Sequence, residues 1–151
     1  MQLRVRVLST ISLVGGAMLA APGCHSSTEP GGSQLVELAR REAQWQAQGI
    51  HDYAFDYDVA AMAPTRPARV YVRADQVVRV VDRTTGAELA LEHWPTIDSL
   101  FTEAVQVIQN HMYHPVITYD SQRGFPSQIK GVSDVPDVGF TETVSNFVTG
   151  V

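Results

Sequence analysis

The chain has 151 residues, a length for one domain, and its 44% apolar and 18% charged content excludes bulk disorder. Its net charge of −5 comes from an excess of acids over scattered basic residues, which excludes a phosphate-backbone partner and so nucleic acid. Cys24 is the only cysteine, which excludes an internal disulfide framework and a cysteine-based zinc cluster.

Residues 1–23 read as a signal peptide. Arg4 and Arg6 make a positive start with no acid before Glu29, and the apolar run VLSTISLVGGAMLA is 14 residues long, short of the ~20 that span a bilayer as a helix. The run leads into Ala21-Pro22-Gly23-Cys24, which resembles the lipobox of bacterial lipoproteins. That resemblance implies that Cys24 is diacylated on its thiol, that the chain is cut before it, and that the new N-terminus is acylated. Two or three acyl chains hold a protein stably on a membrane, whereas one gives only marginal binding. His25 follows the cysteine; lipoproteins without an aspartate there sort to the outer membrane, facing the periplasm. The alternative is an ordinary secreted protein cut at a nearby A-x-A-like site. Removing residues 1–23 takes away two arginines and no acid, so it deepens the net charge of −5 by two.

After Cys24, HSSTEPGGS (25–33) is polar, carries Pro30, Gly31 and Gly32, and has no periodicity. Residues 24–33 therefore read as the acylated cysteine and a flexible tether, of about 15–18 Å by random-coil scaling, and residues 34–151 as one globular domain.

A first helix is expected over about Ser33–Gln48. Ser33 is its N-cap, Glu37 lies in the first turns, Gly49 takes the position past the end, and Leu35, Leu38, Ala39, Glu42 and Trp45 fall at helical spacing. The period then changes to two. Tyr53, Phe55, Tyr57 and Val59 alternate with Asp52, Ala54, Asp56 and Asp58, the pattern of a strand with one aromatic face and one solvated acidic face. RVYVR (69–73) and VVRVV (77–81) form a hairpin around Ala74-Asp75-Gln76. Pro95 ends this region, Thr96 caps a second helix, Asp98 sits in its first turn, and Ile97, Leu100, Phe101, Ala104, Val105, Ile108 and Met112 form its apolar stripe. Three short strands follow, over 116–119, about 127–132 and about 138–147. The order α-β-β-β-α-β-β-β predicts an α+β domain with a mainly antiparallel sheet and a helix packed on one face.

Few residues suggest chemistry. His111 and His114 would share a helical face and could begin a zinc site, but no third ligand stands near them in sequence. Asp52, Asp56 and Asp58 share a strand face, as acid–base pairs or cation ligands do, yet alternation alone produces that pattern. No nucleophile elbow and no phosphate loop occurs, so no cofactor and no catalytic residue is expected. YDSQRGFPSQIKGVSDVPD (119–137) reads as turn, strand and turn: Asp120 bonds the backbone two residues on, Gly124 takes positive φ, and Pro126 starts a strand. Its polar rim of Asp120, Arg123, Asp134 and Asp137 is the candidate partner-binding set, because loops carry function.

Trp45 with Gly49-Ile50-His51-Asp52-Tyr53-Ala54-Phe55, then Val77-Val78-Arg79-Val80, Thr96 to Phe101, Tyr119-Asp120, Arg123 to Pro126, Ile129, and Asp134 and Asp137 occur in an order that resembles the small bacterial envelope proteins grouped as a domain of unknown function, number six-one-seven-four. The resemblance covers about Leu35–Phe147. Many members carry a cysteine pair after the first strand; here MAPTRPA has none. The resemblance implies a fold and an envelope location, many members being lipoproteins, but no reaction. The expectation is a membrane-anchored lipoprotein acting as a non-catalytic binding or scaffold module with an envelope protein partner. The alternative is a small hydrolase or cation-dependent enzyme using Asp120, Asp134 or Asp137 with a histidine.

Overall fold

A computed structural model describes residues 31–62, 65, 67–135 and 138–151. Cys24, the expected signal peptide, most of the expected tether and Asp137 lie outside the described residues. Helix α1 (Gly32–Gln46) is followed by β1 (Tyr53–Ala60), β2 (Ala68–Arg73), β3 (Gln76–Asp82), α2 (Ile97–Gln109), β4 (His114–Tyr119), β5 (Pro126–Val132) and β6 (Gly139–Thr149). All six strands join one antiparallel sheet in the order β3-β2-β1-β6-β5-β4. Each half is a three-stranded meander, and the first and last strands meet at the centre. The segment carrying α2 joins the two outermost strands, β3 and β4. The expected α+β order and its single domain are what the chain adopts.

Both helices use one face of the sheet. Tyr53, Phe55, Tyr57, Val70, Val72, Val80, Ile129 and Val144 turn inward and meet Leu38 and Trp45 of α1 and Ile97, Leu100, Phe101, Ala104 and Ile108 of α2 in one core. The Tyr53 hydroxyl accepts the buried Ile97 N–H at 3.0 Å, tying the α2 start to β1. Trp45 stands edge-on to Tyr53, Phe125 and Phe147 at 5.6, 5.8 and 5.7 Å.

Helix α2 begins as expected. Thr96 accepts from the Ser99 N–H, and Ser99 Oγ accepts in return from the Thr96 N–H at 2.9 Å, which satisfies two donors that a helix start leaves open. Thr96→Ala should cost about 1 kcal/mol of stability, read as a lower urea midpoint with an unchanged slope; an unchanged midpoint would mean that solvent replaces the cap.

Several expectations are corrected. Helix α1 starts at Gly32, with Gly31 as N-cap at φ 91° and no side-chain cap, so Ser33 does not cap it and the last two tether residues are helical. Glu37 is outside the first turn and instead pairs with Arg40 and Arg41, both at 2.7 Å. Ala39 and Glu42 face solvent, because the inward stripe runs through Leu35, Leu38 and Trp45 alone. Met112 lies beyond α2, which Asn110 ends in extended backbone, and it is 65% exposed. His111 and His114 therefore share no helix; one lies in a turn and the other opens β4. The β2–β3 turn uses Ala74 and Asp75, both at positive φ (46° and 63°), the two-residue hairpin geometry that suits strand twist.

The outer face of the sheet is open, but Asp56 is not a solvated acid. It is only 8% exposed. Arg69 donates to it at 3.0 Å, Asn146 at 2.7 Å, and Arg83 stands at 3.4 Å. Asn146 reaches it from an irregularity in β6, where its own φ is 49°. Burial by itself would raise the Asp56 carboxyl pKa; the hydrogen bonds from Asn146 and Arg69 and the charges of Arg83 and Arg69 hold it below the ordinary value.

Candidate functional site

The two helices run antiparallel across the sheet. Gly31 at the start of α1 meets Ile108 near the end of α2, and Gln46 at the end of α1 donates to Asp98 at the start of α2. The sheet thus has a near end, where the described chain begins, and a far end.

At the far end the hairpin turn, the segment before β1 and the start of α2 enclose a groove of about 330 Å³ lined by Trp45, Gln46, His51, Asp75 and Asp98. His51 Nδ1 pairs with Asp75 at 2.9 Å. Asp98 Oδ1 accepts from Trp45 Nε1 at 3.2 Å and from Gln46 Nε2 at 2.6 Å. A His–Asp pair and a second carboxylate converge here, but Asp98 is already occupied in joining α1 to α2.

The near end carries two grooves. One, of about 230 Å³, lies among Gly31, Gln34, Ile108, His111, Tyr113 and His114. The other, of about 530 Å³, is lined mainly by apolar groups, including Met62, Val132, Val135, Val138 and Phe140. Tyr113 and Phe140 stand edge-on at 5.5 Å and separate the two. Gly131 makes room for this contact, since a Cβ there would lie 2.5 Å from Phe140 Cε1.

A third constellation is internal. Glu103 of α2 and Glu142 of β6 face each other beside Tyr57 of β1, and the Oε2 atom of each is shut off from solvent without a hydrogen-bond partner. Burial, and then the facing Glu142 carboxylate, push the Glu103 carboxyl up to about 7. Burial, and then the charges of Glu142 and Glu103, likewise raise the Tyr57 hydroxyl. Acid–base catalysis uses such pairs, but here the Oε2 atoms are sealed between helix and sheet. Among the described residues, no three His, Cys, Asp or Glu side chains converge as a metal site.

The residues singled out from sequence do not form one site. Asp120 Oδ1 accepts from the Gln122 N–H at 3.1 Å and the Arg123 N–H at 2.6 Å, and its own N–H bonds the Phe125 carbonyl. It is the turn residue expected, at the far end. Gly124 takes φ 85° there and packs against the Arg41 carbonyl and Gln44, where a side chain would crowd. Arg123 lies over the Phe147 ring at 5.0 Å. Asp134 sits beyond the other end of β5, a strand of seven residues, so about 20 Å of sheet separates it from Asp120. Asp134 does meet His114 at 3.2 Å, but the two are 88% and 70% exposed. Asp137 and Cys24 lie outside the described residues.

Sequence reasoning missed Glu103, Glu142 and Tyr57 as a group. One signal was available: Phe140, Glu142 and Val144 alternate along β6, which puts an acid in the inward register of a strand.

The arrangement of a tryptophan-bearing helix, an aromatic first strand, a capped second helix and a C-terminal meander is matched by a family profile over residues 37–149, that of the family of unknown function DUF6174. The chain belongs to this family. The DUF6174 match spans every strand, all of α2 and α1 from Glu37 onward. No curated protein and no solved structure matches the chain.

Proposed function

We propose that this DUF6174 chain is a lipid-anchored protein of the bacterial cell envelope, and that its folded domain is a non-catalytic binding module held at the membrane by acylated Cys24. The observation that carries the reading is the place of the lone cysteine: it follows an apolar run with a basic start, and α1 begins eight residues after it. No helix among the described residues is long and apolar enough to cross a membrane. His25 beside the cysteine favours the outer membrane with the domain in the periplasm. The binding role is supported by the placement of the polar side chains. Asp120 and Asp98 are engaged in holding a turn and a helix pair, and Glu103 and Glu142 face inward. The loops at the ends of the sheet are left free for contacts outside the domain.

The test is metabolic labelling with a fatty-acid analogue. The wild-type protein should take up label and move with the membrane fraction, and Cys24→Ala should do neither. Equal labelling of both would sink the anchor.

A further inference from the structure

We propose that the near end of the sheet is a membrane-contact surface that rests in the lipid headgroup layer. The inference rests on the anchor at Cys24. Six residues lie between Cys24 and Gly31, so the two are at most about 25 Å apart fully extended and about 13–16 Å as a flexible coil. The acyl chains enter the bilayer at Cys24, so Gly31 cannot stand far from the surface. Gly31 packs on Ile108 and lines the groove that also holds His111, Tyr113 and His114. That places the near end closest to the anchor.

The chemistry of the near end suits that neighbour. Among the described residues, five of the nine large apolar side chains that are exposed lie there: Met62 (77%), Val36 (67%), Met112 (65%), Val135 (56%) and Val132 (37%). Met62, Val132 and Val135 line one groove with Phe140, which stands edge-on to Tyr113, a half-buried ring of the kind that sits at a membrane–water interface. Scattered exposed apolar residues are ordinary, but a concentration at one end marks an interaction site. Asp52, Asp75, Asp98 and Asp120 lie at the far end, while the described lining of the near-end groove includes Lys130, with the exposed Asp134 paired to His114 close by. A protein partner would more naturally meet the far end, which the membrane leaves free.

In the acylated chain the Cys24 sulfur is a thioether, so a cysteine introduced elsewhere is the only thiol. Met62→Cys, Met112→Cys, Val135→Cys and, as the far-end control, Ser121→Cys would each be labelled with a fluorophore. The full acylated proteins would be placed in phosphatidylethanolamine–phosphatidylglycerol vesicles, and quenching by a lipid carrying a spin label at headgroup depth would be measured. Quenching several-fold stronger at 62, 112 and 135 than at 121 is expected. Equal, weak quenching in protein that floats with the vesicles would overturn the contact and leave the anchor standing. Near-end labels shielded from aqueous iodide yet not quenched by the lipid would mean that a second copy covers this end, which also overturns it. Protein that fails to float with the vesicles would overturn the anchor and this surface together.

Discussion

Trp45→Ala should be the most damaging single truncation in the domain, costing about 3–5 kcal/mol. The indole is 3% exposed and joins three parts of the fold. Its ring is the hub for Tyr53 of β1, Phe125 before β5 and Phe147 of β6, all edge-on within 5.8 Å. Its Nε1–H donates to Asp98 at 3.2 Å, which links α1 to the first turn of α2. Alanine would leave a cavity where three rings converge and would remove one of the two hydrogen bonds to Asp98. A small domain has only about 5–15 kcal/mol in total, so the loss is a large share of its stability. In thermal unfolding this is a fall in Tm of roughly 10 °C or more. Trp94 is the internal control. It is partly exposed, donates to the Ala90 carbonyl, and meets one ring, Tyr57, at 6.3 Å. Trp94→Ala should cost clearly less. If the two variants melted together, the hub assigned to Trp45 would be wrong.

That hub was partly legible in the sequence, and the limits are instructive. Trp45 and Phe55 stand out because periodicity is local: Trp45 falls on a 3.6 period and Phe55 on a period of two. The same local rule extended the α2 stripe to Met112, because a periodic pattern continues past the point where Asn110 turns the backbone into extended geometry. It also placed Asp56 on a wet face. Alternation does put Asp56 opposite the aromatics, but whether that face is wet depends on Arg69, Arg83 and Asn146, which arrive from β2, the segment after β3 and the last strand. The far-end groove depends on contacts of the same long range, since His51 and Asp75 are 24 residues apart and Trp45 and Asp98 are 53 apart. The turn at Asp120–Gly124 was legible because its bonds are within five residues.

Glu103→Gln should make the protein more stable at pH 8 and remove one component of its pH dependence. Glu103 and Glu142 approach each other from α2 and β6, with Tyr57 of β1 beside them, and each carboxylate has an enclosed oxygen without a donor. Two ionised carboxylates are acceptors only, so neither can satisfy the other. One proton resolves this, because a protonated Glu103 donates to Glu142; burial and the Glu142 charge accordingly push the Glu103 carboxyl from its ordinary 4.5 to about 7. In the folded protein the proton is held up to about pH 7, whereas the unfolded chain releases it near 4.5. Folding therefore takes up a proton between these values, and the contribution is fully present below pH 4.5 and is lost as pH rises through 7. The side chain is only partly buried, so solvent screening reduces the loss to on the order of 1–2 kcal/mol. Glutamine keeps the shape, carries no charge and offers Glu142 an N–H at every pH. Other groups also contribute to the pH dependence of stability, so the informative quantity is the difference between wild type and Glu103→Gln in urea midpoint. That difference should favour the variant at pH 8 by about 1–2 kcal/mol and shrink toward zero or reverse at pH 5. A difference that stayed constant across the range would mean that Glu103 titrates as an ordinary surface acid and that the pair is not closed in solution.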